Sequence, residues 1–222
     1  LNSYNAIDPE CERRTIDFIR RNAAAGEPFY AAYWPQMTGF IANPKKSQVA
    51  RSLLSDGFER VDAFLGTLMD TLNELGIAEN TIVVAHADNG PMVHNPPNGL
   101  GMAPTVFRGG KSDYWEGGTR VAAFAWWPGM IEPGSIYGDM IHEVDLYTTF
   151  ARLAGATDAI PTDRIVDGID QTALFVHGDT HGRRDYNFVY TGNILAASVK
   201  GRYKRVWIGD HPGLPGAAFY DL

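Results

Sequence analysis

The sequence predicts an α/β fold, in which helices flank part of a mixed, largely parallel sheet and a small antiparallel subdomain follows. Two observations lead to this prediction. In residues 1–158, short apolar runs typical of strands alternate with longer segments of helical periodicity, an order typical of βαβ units. After Asp158 the pattern changes to two strand-like segments joined by a tight turn. We therefore predict two domains, 1–158 and 159–222.

The first half of the chain predicts one βαβ unit after an initial helix over residues 8–22. Aromatic residues dominate the segment 29–34 and favour a strand. From Phe58 to Leu75, apolar residues recur with helical spacing, and Gly76 then ends the helix. A second strand is predicted over residues 81–87. A right-handed crossover would make the two strands parallel.

The second half begins with a further buried strand, predicted over residues 121–127. Apolar spacing predicts a helix over 143–154, which Gly155 ends. Asn187–Val199 and Arg202–Ile208 are predicted as two strands joined at Lys200-Gly201, as in an antiparallel hairpin.

Composition excludes several classes of protein. A net charge of −7, with no basic run longer than two residues, argues against nucleic-acid binding. No apolar run approaches the roughly 18 residues needed to span a membrane. The polar first residues do not form a signal peptide, and the compartment stays open because exported proteins without disulfides are common. The single cysteine, Cys11, rules out an internal disulfide.

The end of the predicted strand 81–87 carries the first candidate site, Asp88-Asn89-Gly90. In α/β proteins, ligands bind at the carboxyl ends of strands. A carboxylate and an amide oxygen suit Ca²⁺ or Mg²⁺ better than a soft metal. The same three residue types also form ordinary turns, so this segment alone predicts either a turn or a metal site.

The glycine-rich loop that follows concentrates charged residues. Its length and lack of periodicity are typical of a functional or mobile loop. Lys111 is suited to contact an anionic ester oxygen as a point charge. We expect Arg120 to pair with Glu116 and fix the loop. Arg108 is either a second anion contact or, the interpretation we favour, a solvated charge. His86 is expected to be a core residue of the strand.

Ordered motifs along nearly the whole chain resemble those of the arylsulfatase family. They are Asp88-Asn89-Gly90-Pro91, Phe107-Arg108-Gly109-x-Lys111, Trp115-Glu116-Gly117-Gly118-x-Arg120-Val121, Trp127-Pro128-Gly129, Asp145-Leu146-Tyr147-Thr148-Thr149-Phe150, Asp167-Gly168-Ile169-Asp170 and Phe219-Tyr220-Asp221-Leu222. The resemblance implies the alkaline-phosphatase-like sulfatase fold and hydrolysis of sulfate esters, either small molecules or glycans.

The resemblance also implies a cofactor and site residues. Asp88 and Asn89 would be ligands of Ca²⁺, with Mg²⁺ less expected, and Lys111 would contact the sulfate as a catalytic and substrate-binding residue. The position of a family histidine that can protonate the leaving group falls here at Gly39. His94 is a candidate substitute that would bind substrate.

Two elements of the resembled family are not in this sequence: the nucleophile, and an early strand ending in paired aspartates that would supply the other metal ligands. The nucleophile is a formylglycine made within Cys/Ser-x-Pro-x-Arg, and these 222 residues contain no such motif. We therefore expect the C-terminal portion of a longer sulfatase, inactive alone. Either it associates with a missing N-terminal half or with itself, or, as we favour, it is part of one longer polypeptide. The alternatives are an inactive sulfatase-like binding module and a phosphate or phosphonate ester hydrolase. Family members are often periplasmic, secreted or lysosomal.

Overall fold

The computed structural model describes residues 4–36, 53–92, 106–208 and 218–222. They form two compact units. The first contains the described residues up to Ile82 together with Met92, and the second contains Val83–Pro91 and the described residues from 106 onward. The domain boundary proposed at residue 158 stays a prediction.

Two long helices form most of the first unit: α1, Tyr4–Ala25, and α2, Leu53–Glu74. A short 3-10 helix, Ala78–Asn80, follows. Both helices were predicted, although α1 begins before the expected start at residue 8. The chain leaves α2 through Gly76, whose φ of +68° is readily accessible only to glycine.

The predicted strand 29–34 is wrong, since this segment belongs to no sheet among the described residues. Its aromatic side chains pack on the helices instead. Phe29 meets Phe18 edge-on with ring centroids 6.1 Å apart, and Tyr33 lies 4.8 Å from Phe64. Aromatic residues favour strands and helix-facing segments alike, and a strand also needs a paired neighbour. The parallel βαβ unit is therefore not formed within the described part of the chain.

The second unit begins with β1, Val83–His86, which pairs with β2, Ala123–Trp126. The pairing is antiparallel, with Val83 opposite Trp126. Between them lies α3, a single turn over Glu116–Thr119. Both strands were predicted, and each is shorter than expected because only the central residues form the ladder.

Helix α4, Glu143–Leu153, follows as predicted and is capped at its start and ended by a glycine. At its start, the His142 ring accepts a hydrogen bond from the Val144 amide, while Asp145 accepts one from the His142 amide. This arrangement is a capping box. Gly155, with φ of +67°, ends the helix. A 3-10 helix, Thr157–Ala159, and α5, Thr172–His177, complete the helical part.

The C-terminal part is a four-stranded antiparallel sheet in the order β3-β4-β5-β6. Its strands are Tyr186–Thr191, Ile194–Lys200, Tyr203–Val206 and Ala218–Asp221. The single strand predicted over 187–199 is wrong, because a turn at Gly192-Asn193 divides it into β3 and β4. Gly192 has φ of +60°, which suits the first position of a two-residue hairpin turn. The predicted turn near Lys200-Gly201 is confirmed.

The two faces of this sheet differ sharply. One face buries Ala197, Val199 and Val206, and among these apolar residues lies Lys204. The opposite face leaves aromatic side chains exposed, among them Phe188, Tyr203 and Phe219. Among the residues that the structure describes, no helix is long and apolar enough to cross a membrane.

A buried ion pair joins α4 to the segment before β3. The Nε and Nη2 atoms of Arg184 donate to the Asp145 carboxylate, at 2.7 and 2.6 Å. The same carboxylate also accepts from Gln171 and from the backbone amide of Ile169. Burial alone would raise the pKa of Asp145, but the hydrogen bonds from Arg184 and the backbone amides outweigh it and lower the pKa.

Candidate functional site

Asp88 and Asn89 follow β1 directly, at the carboxyl end of the strand, as predicted. Asp88 is exposed and Asn89 is half-buried. The Asn89 amide nitrogen donates to the Asp88 carboxylate at 3.0 Å and to the Gly90 carbonyl at 3.2 Å. The two side chains that were predicted to act together therefore already lie in contact at this strand end.

Close packing of glycines fixes the backbone immediately after this pair. The Gly90 amide donates to the Gly118 carbonyl at 2.9 Å. A Cβ atom at Gly90 would lie only 1.7 Å from the Gly117 carbonyl oxygen, and one at Gly117 would lie 2.2 Å from the Gly109 carbonyl oxygen. Gly118 is equally crowded, against Gly110 at 2.3 Å. The strand end, the loop and α3 thus meet backbone to backbone, where only glycine fits.

Lys111 is brought to the same place by its main chain. Its amide donates to the Pro91 carbonyl at 2.8 Å, only two residues beyond Asn89. The loop around it is tightly turned, since the Gly110 amide donates to the Asp113 carboxylate and Ser112 has φ of +72°. The Lys111 side chain is exposed and makes no ion pair with any described residue. The structure therefore joins two of the predicted elements, the Asp88-Asn89 pair and the loop that contains Lys111 (residues 108–117, the lysine loop).

One expectation about the remaining loop charges is wrong. Glu116 pairs with Lys204 at 2.7 Å rather than with Arg120. Arg120 instead places its guanidinium 5.0 Å from the ring centroid of Phe107. Arg108 is exposed, as expected of a solvated charge, and its guanidinium stacks 3.8 Å over the Trp115 ring.

Of the two histidines considered above, the structure describes His86 but not His94. His86 was expected in the core, but it is exposed, with its Nδ1 atom 3.6 Å from the Glu143 carboxylate. It is the last residue of β1, so the apolar character of the strand does not extend to it. His94 and Gly39 lie outside the described residues, and their proposed relation to substrate stays a prediction.

The donor set at Asp88-Asn89 fits part of a calcium site. Ca²⁺ takes six to eight oxygen ligands, and this pair offers a carboxylate and an amide oxygen. Within the described ranges, no group of three or more acidic, histidine or cysteine side chains is placed to hold a metal ion. The amide nitrogen of Asn89, not its oxygen, faces Asp88. Joint coordination would therefore require the amide to turn over, at the loss of its hydrogen bonds to Asp88 and to the Gly90 carbonyl.

Comparisons with known proteins match this sequence to one family. The sequence matches the sulfatase family over residues 2–156. It is 36% identical to steryl-sulfatase of Rattus norvegicus over 198 residues, which cover 87% of this chain and 34% of that protein. It is 34% identical to N-acetylgalactosamine-6-sulfatase of Canis lupus familiaris over 196 residues, which cover 86% of this chain and 36% of that protein. The chain thus spans about a third of the length of these curated relatives.

A solved structure extends the likeness to the fold. The PsFucS1 sulfatase from Pseudoalteromonas sp. superposes with a TM-score of 0.76 at 28% sequence identity, over 97% of this chain and 44% of that one. The predicted fold class, an α/β fold of the sulfatase type with a small C-terminal antiparallel subdomain, is confirmed.

Proposed function

Since this chain belongs to the sulfatase family, we propose that it supplies part of the metal and sulfate site of a sulfate-ester hydrolase. In this proposal Asp88 and Asn89 provide oxygen ligands to Ca²⁺, and Lys111 contacts the sulfate group. The related proteins have names as different as steryl-sulfatase and N-acetylgalactosamine-6-sulfatase, so the proposal extends to the sulfate ester and not to its organic group.

The observation that carries the proposal is the hydrogen bond from the Lys111 amide to the Pro91 carbonyl, at 2.8 Å. It connects the lysine loop to the backbone just past the acidic pair, although the two segments are about twenty residues apart in sequence. A plain turn at Asp88-Asn89-Gly90 would not need this connection or the glycine packing around it. Both contacts bring Lys111 and the proposed metal ligands to the same strand end, as convergence of their charges on one sulfate would require.

Each residue has a distinct proposed task. A bound Ca²⁺ would supply positive charge that neutralises the sulfate oxygens as the ester is cleaved. Lys111, exposed and without a counter-ion among the described residues, is free to direct its ammonium group toward the same anion. The Asp88 carboxylate and the Asn89 amide hold their positions at a strand end whose backbone Gly90 ties to α3.

Calcium binding tests the metal assignment separately. In isothermal titration calorimetry, Asp88→Ala should bind Ca²⁺ at least tenfold more weakly than the unaltered chain, because it loses a charged ligand. Asp158→Ala removes an exposed acid from a 3-10 helix and serves as the matched control. Equal Ca²⁺ affinity for the Asp88→Ala variant and the unaltered chain would refute the assignment.

Anion binding tests the role of Lys111. Titration of inorganic sulfate into the Ca²⁺-loaded chain should show binding that Lys111→Ala weakens roughly tenfold, the equivalent of one hydrogen bond to a charged group. Lys200→Ala removes a lysine from an exposed pair with Asp185 and should leave the affinity unchanged. Phosphate, titrated in parallel, separates the alternatives. Stronger binding of phosphate than of sulfate would favour a phosphate ester hydrolase.

A further inference from the structure

We propose that Lys204 is a positioning residue of the anion site, which holds the loop around Lys111 through an ion pair with Glu116. The inference rests on the proposed sulfate site. Lys204 lies in the middle of β5, and its side chain is 1% exposed. Its ammonium nitrogen is 2.7 Å from the Glu116 carboxylate, whose side chain is 18% exposed. This contact joins the C-terminal sheet directly to α3.

The surroundings of Lys204 indicate that its ion pair with Glu116 fixes the location of Glu116 more than it stabilises the fold. Its neighbours on the same face of the sheet include the buried apolar residues Val199 and Val206. Withdrawing two charges from water is costly, and an apolar pair of similar size is often as stable or more so. What the ion pair adds is direction, because a buried ammonium group is satisfied only when Glu116 occupies one place.

The residues that follow Glu116 are hydrogen-bonded to the segments on either side of the loop around Lys111. Glu116 is the first residue of α3. The next residue, Gly117, donates its amide to the Arg108 carbonyl at 2.8 Å, and the carbonyl of Gly118 accepts from Gly90. Lys111 lies inside the loop that these bonds close. A shift of Glu116 would therefore move the loop relative to the strand end at Asp88.

The ion pair between Lys204 and Glu116 also determines which charged group of the loop has a partner. Glu116 is five residues from Lys111, and a carboxylate released from Lys204 would become a competing counter-ion for that lysine. While Glu116 is bound to Lys204, Lys111 has no carboxylate partner among the described residues. Lys204 thus keeps Lys111 available to an external anion.

The test compares Lys204→Met with Lys200→Met, which removes a lysine from an exposed pair. Amide hydrogen exchange and inorganic sulfate affinity are measured on the same 222-residue chain. In Lys204→Met we expect the Lys111 and Gly117 amides to exchange at least tenfold faster and sulfate to bind at least fivefold more weakly. Amides of α4 should change far less, which separates loop release from global unfolding. The control variant should leave both measurements unchanged.

A double variant separates positioning from simple destabilisation. Lys204→Met with Glu116→Gln removes both charges, so no unpaired carboxylate stays buried and the fold should be retained even if Lys204→Met alone is too unstable to study. Positioning predicts that the Lys111 amide still exchanges quickly in this stable protein. Sulfate should still bind more weakly than to the unaltered chain, although Glu116→Gln also removes the carboxylate that would compete for Lys111. The inference would be overturned if the stable double variant recovered both the Lys111 amide exchange rate and the sulfate affinity of the unaltered chain. It would also be overturned if Lys204→Met alone stayed within twofold of the unaltered chain in both quantities. An unaltered chain that binds no sulfate would refute the proposed function instead, and the Lys111 exchange rate would then decide whether Lys204 holds the loop.

Discussion

Replacing Gly90 by alanine is the most direct test of the glycine packing at the candidate site. The added Cβ atom would lie 1.7 Å from the Gly117 carbonyl oxygen, 2.7 Å from its carbonyl carbon and 3.0 Å from the Gly118 Cα atom. All three neighbours are backbone atoms, so no flexible side chain can move aside. Relief requires the strand end and α3 to separate, which breaks the hydrogen bond from the Gly90 amide to the Gly118 carbonyl.

The expected cost follows from these two effects. Inserting a methyl group into a packed site costs about 1–3 kcal/mol, and the lost hydrogen bond adds about 1 kcal/mol. The free energy of unfolding should therefore fall by roughly 2–4 kcal/mol. In a protein of this size that corresponds to a melting temperature lower by roughly 4–16 °C. Because the movement displaces Asp88 and Lys111 together, Ca²⁺ and sulfate binding should weaken in the same variant.

Urea denaturation followed by circular dichroism measures this change, with Gly138→Ala as the matched control. Gly138 is in the same unit, and a Cβ atom there would meet no atom within 4 Å. The control should unfold at the same urea concentration or slightly higher, since alanine lowers the entropy of the unfolded chain. If Gly90→Ala stays within 0.5 kcal/mol of the unaltered chain, a threshold below the ~1 kcal/mol lower bound for such insertions, the reasoning from packing is refuted.

Three further outcomes are expected from the described contacts. Arg184→Ala should cost about 3–5 kcal/mol in urea denaturation, because it leaves the Asp145 carboxylate buried without its cation. Since the pKa of Asp145 is lowered in the fold, its stabilising contribution is complete above the ordinary aspartate pKa of about 4 and is lost as pH falls through the folded value. The stability gap between Arg184→Ala and the unaltered chain should accordingly narrow on acidification below pH ~4, and a gap independent of pH would contradict this. Gly66→Ala, at an open position inside α2, should raise the unfolding free energy by about 0.5–1 kcal/mol, and a lower melting temperature would count against it.

Elements set by local sequence were predictable. Helices α2 and α4 have apolar residues at helical spacing, and each is followed by a glycine with positive φ, Gly76 and Gly155. Spacing and end signal both lie within a few residues of the helix. The turn at Gly192 was missed for a related reason. Strand-forming residues flank it on both sides, so the glycine was interpreted as part of one continuous strand.

Contacts between distant segments were not predictable in the same way. Glu116 was assigned to Arg120, four residues away, but its partner Lys204 is 88 residues away. Nothing in the sequence marks Lys204 as buried, since a lysine in a strand is normally exposed. The strand predicted over residues 29–34 was wrong for a similar reason. Residue types indicate where a strand is favourable but not whether a neighbouring strand pairs with it.

The candidate site combines both kinds of determinant, which explains why it was only partly predictable. Asp88, Asn89 and Lys111 were identified from residue type and position, but their approach depends on backbone contacts at Gly90, Gly117 and the loop glycines. Main-chain contacts of this kind fix the path of the chain and leave the side chains free to point at a ligand. In our proposal, the charges around Lys111 determine where its ammonium group points. The ion pair of Glu116 with Lys204, 88 residues further along the chain, removes one of these charges as a partner for Lys111. Backbone packing therefore sets where the site lies, and a distant buried lysine sets how its charge is used.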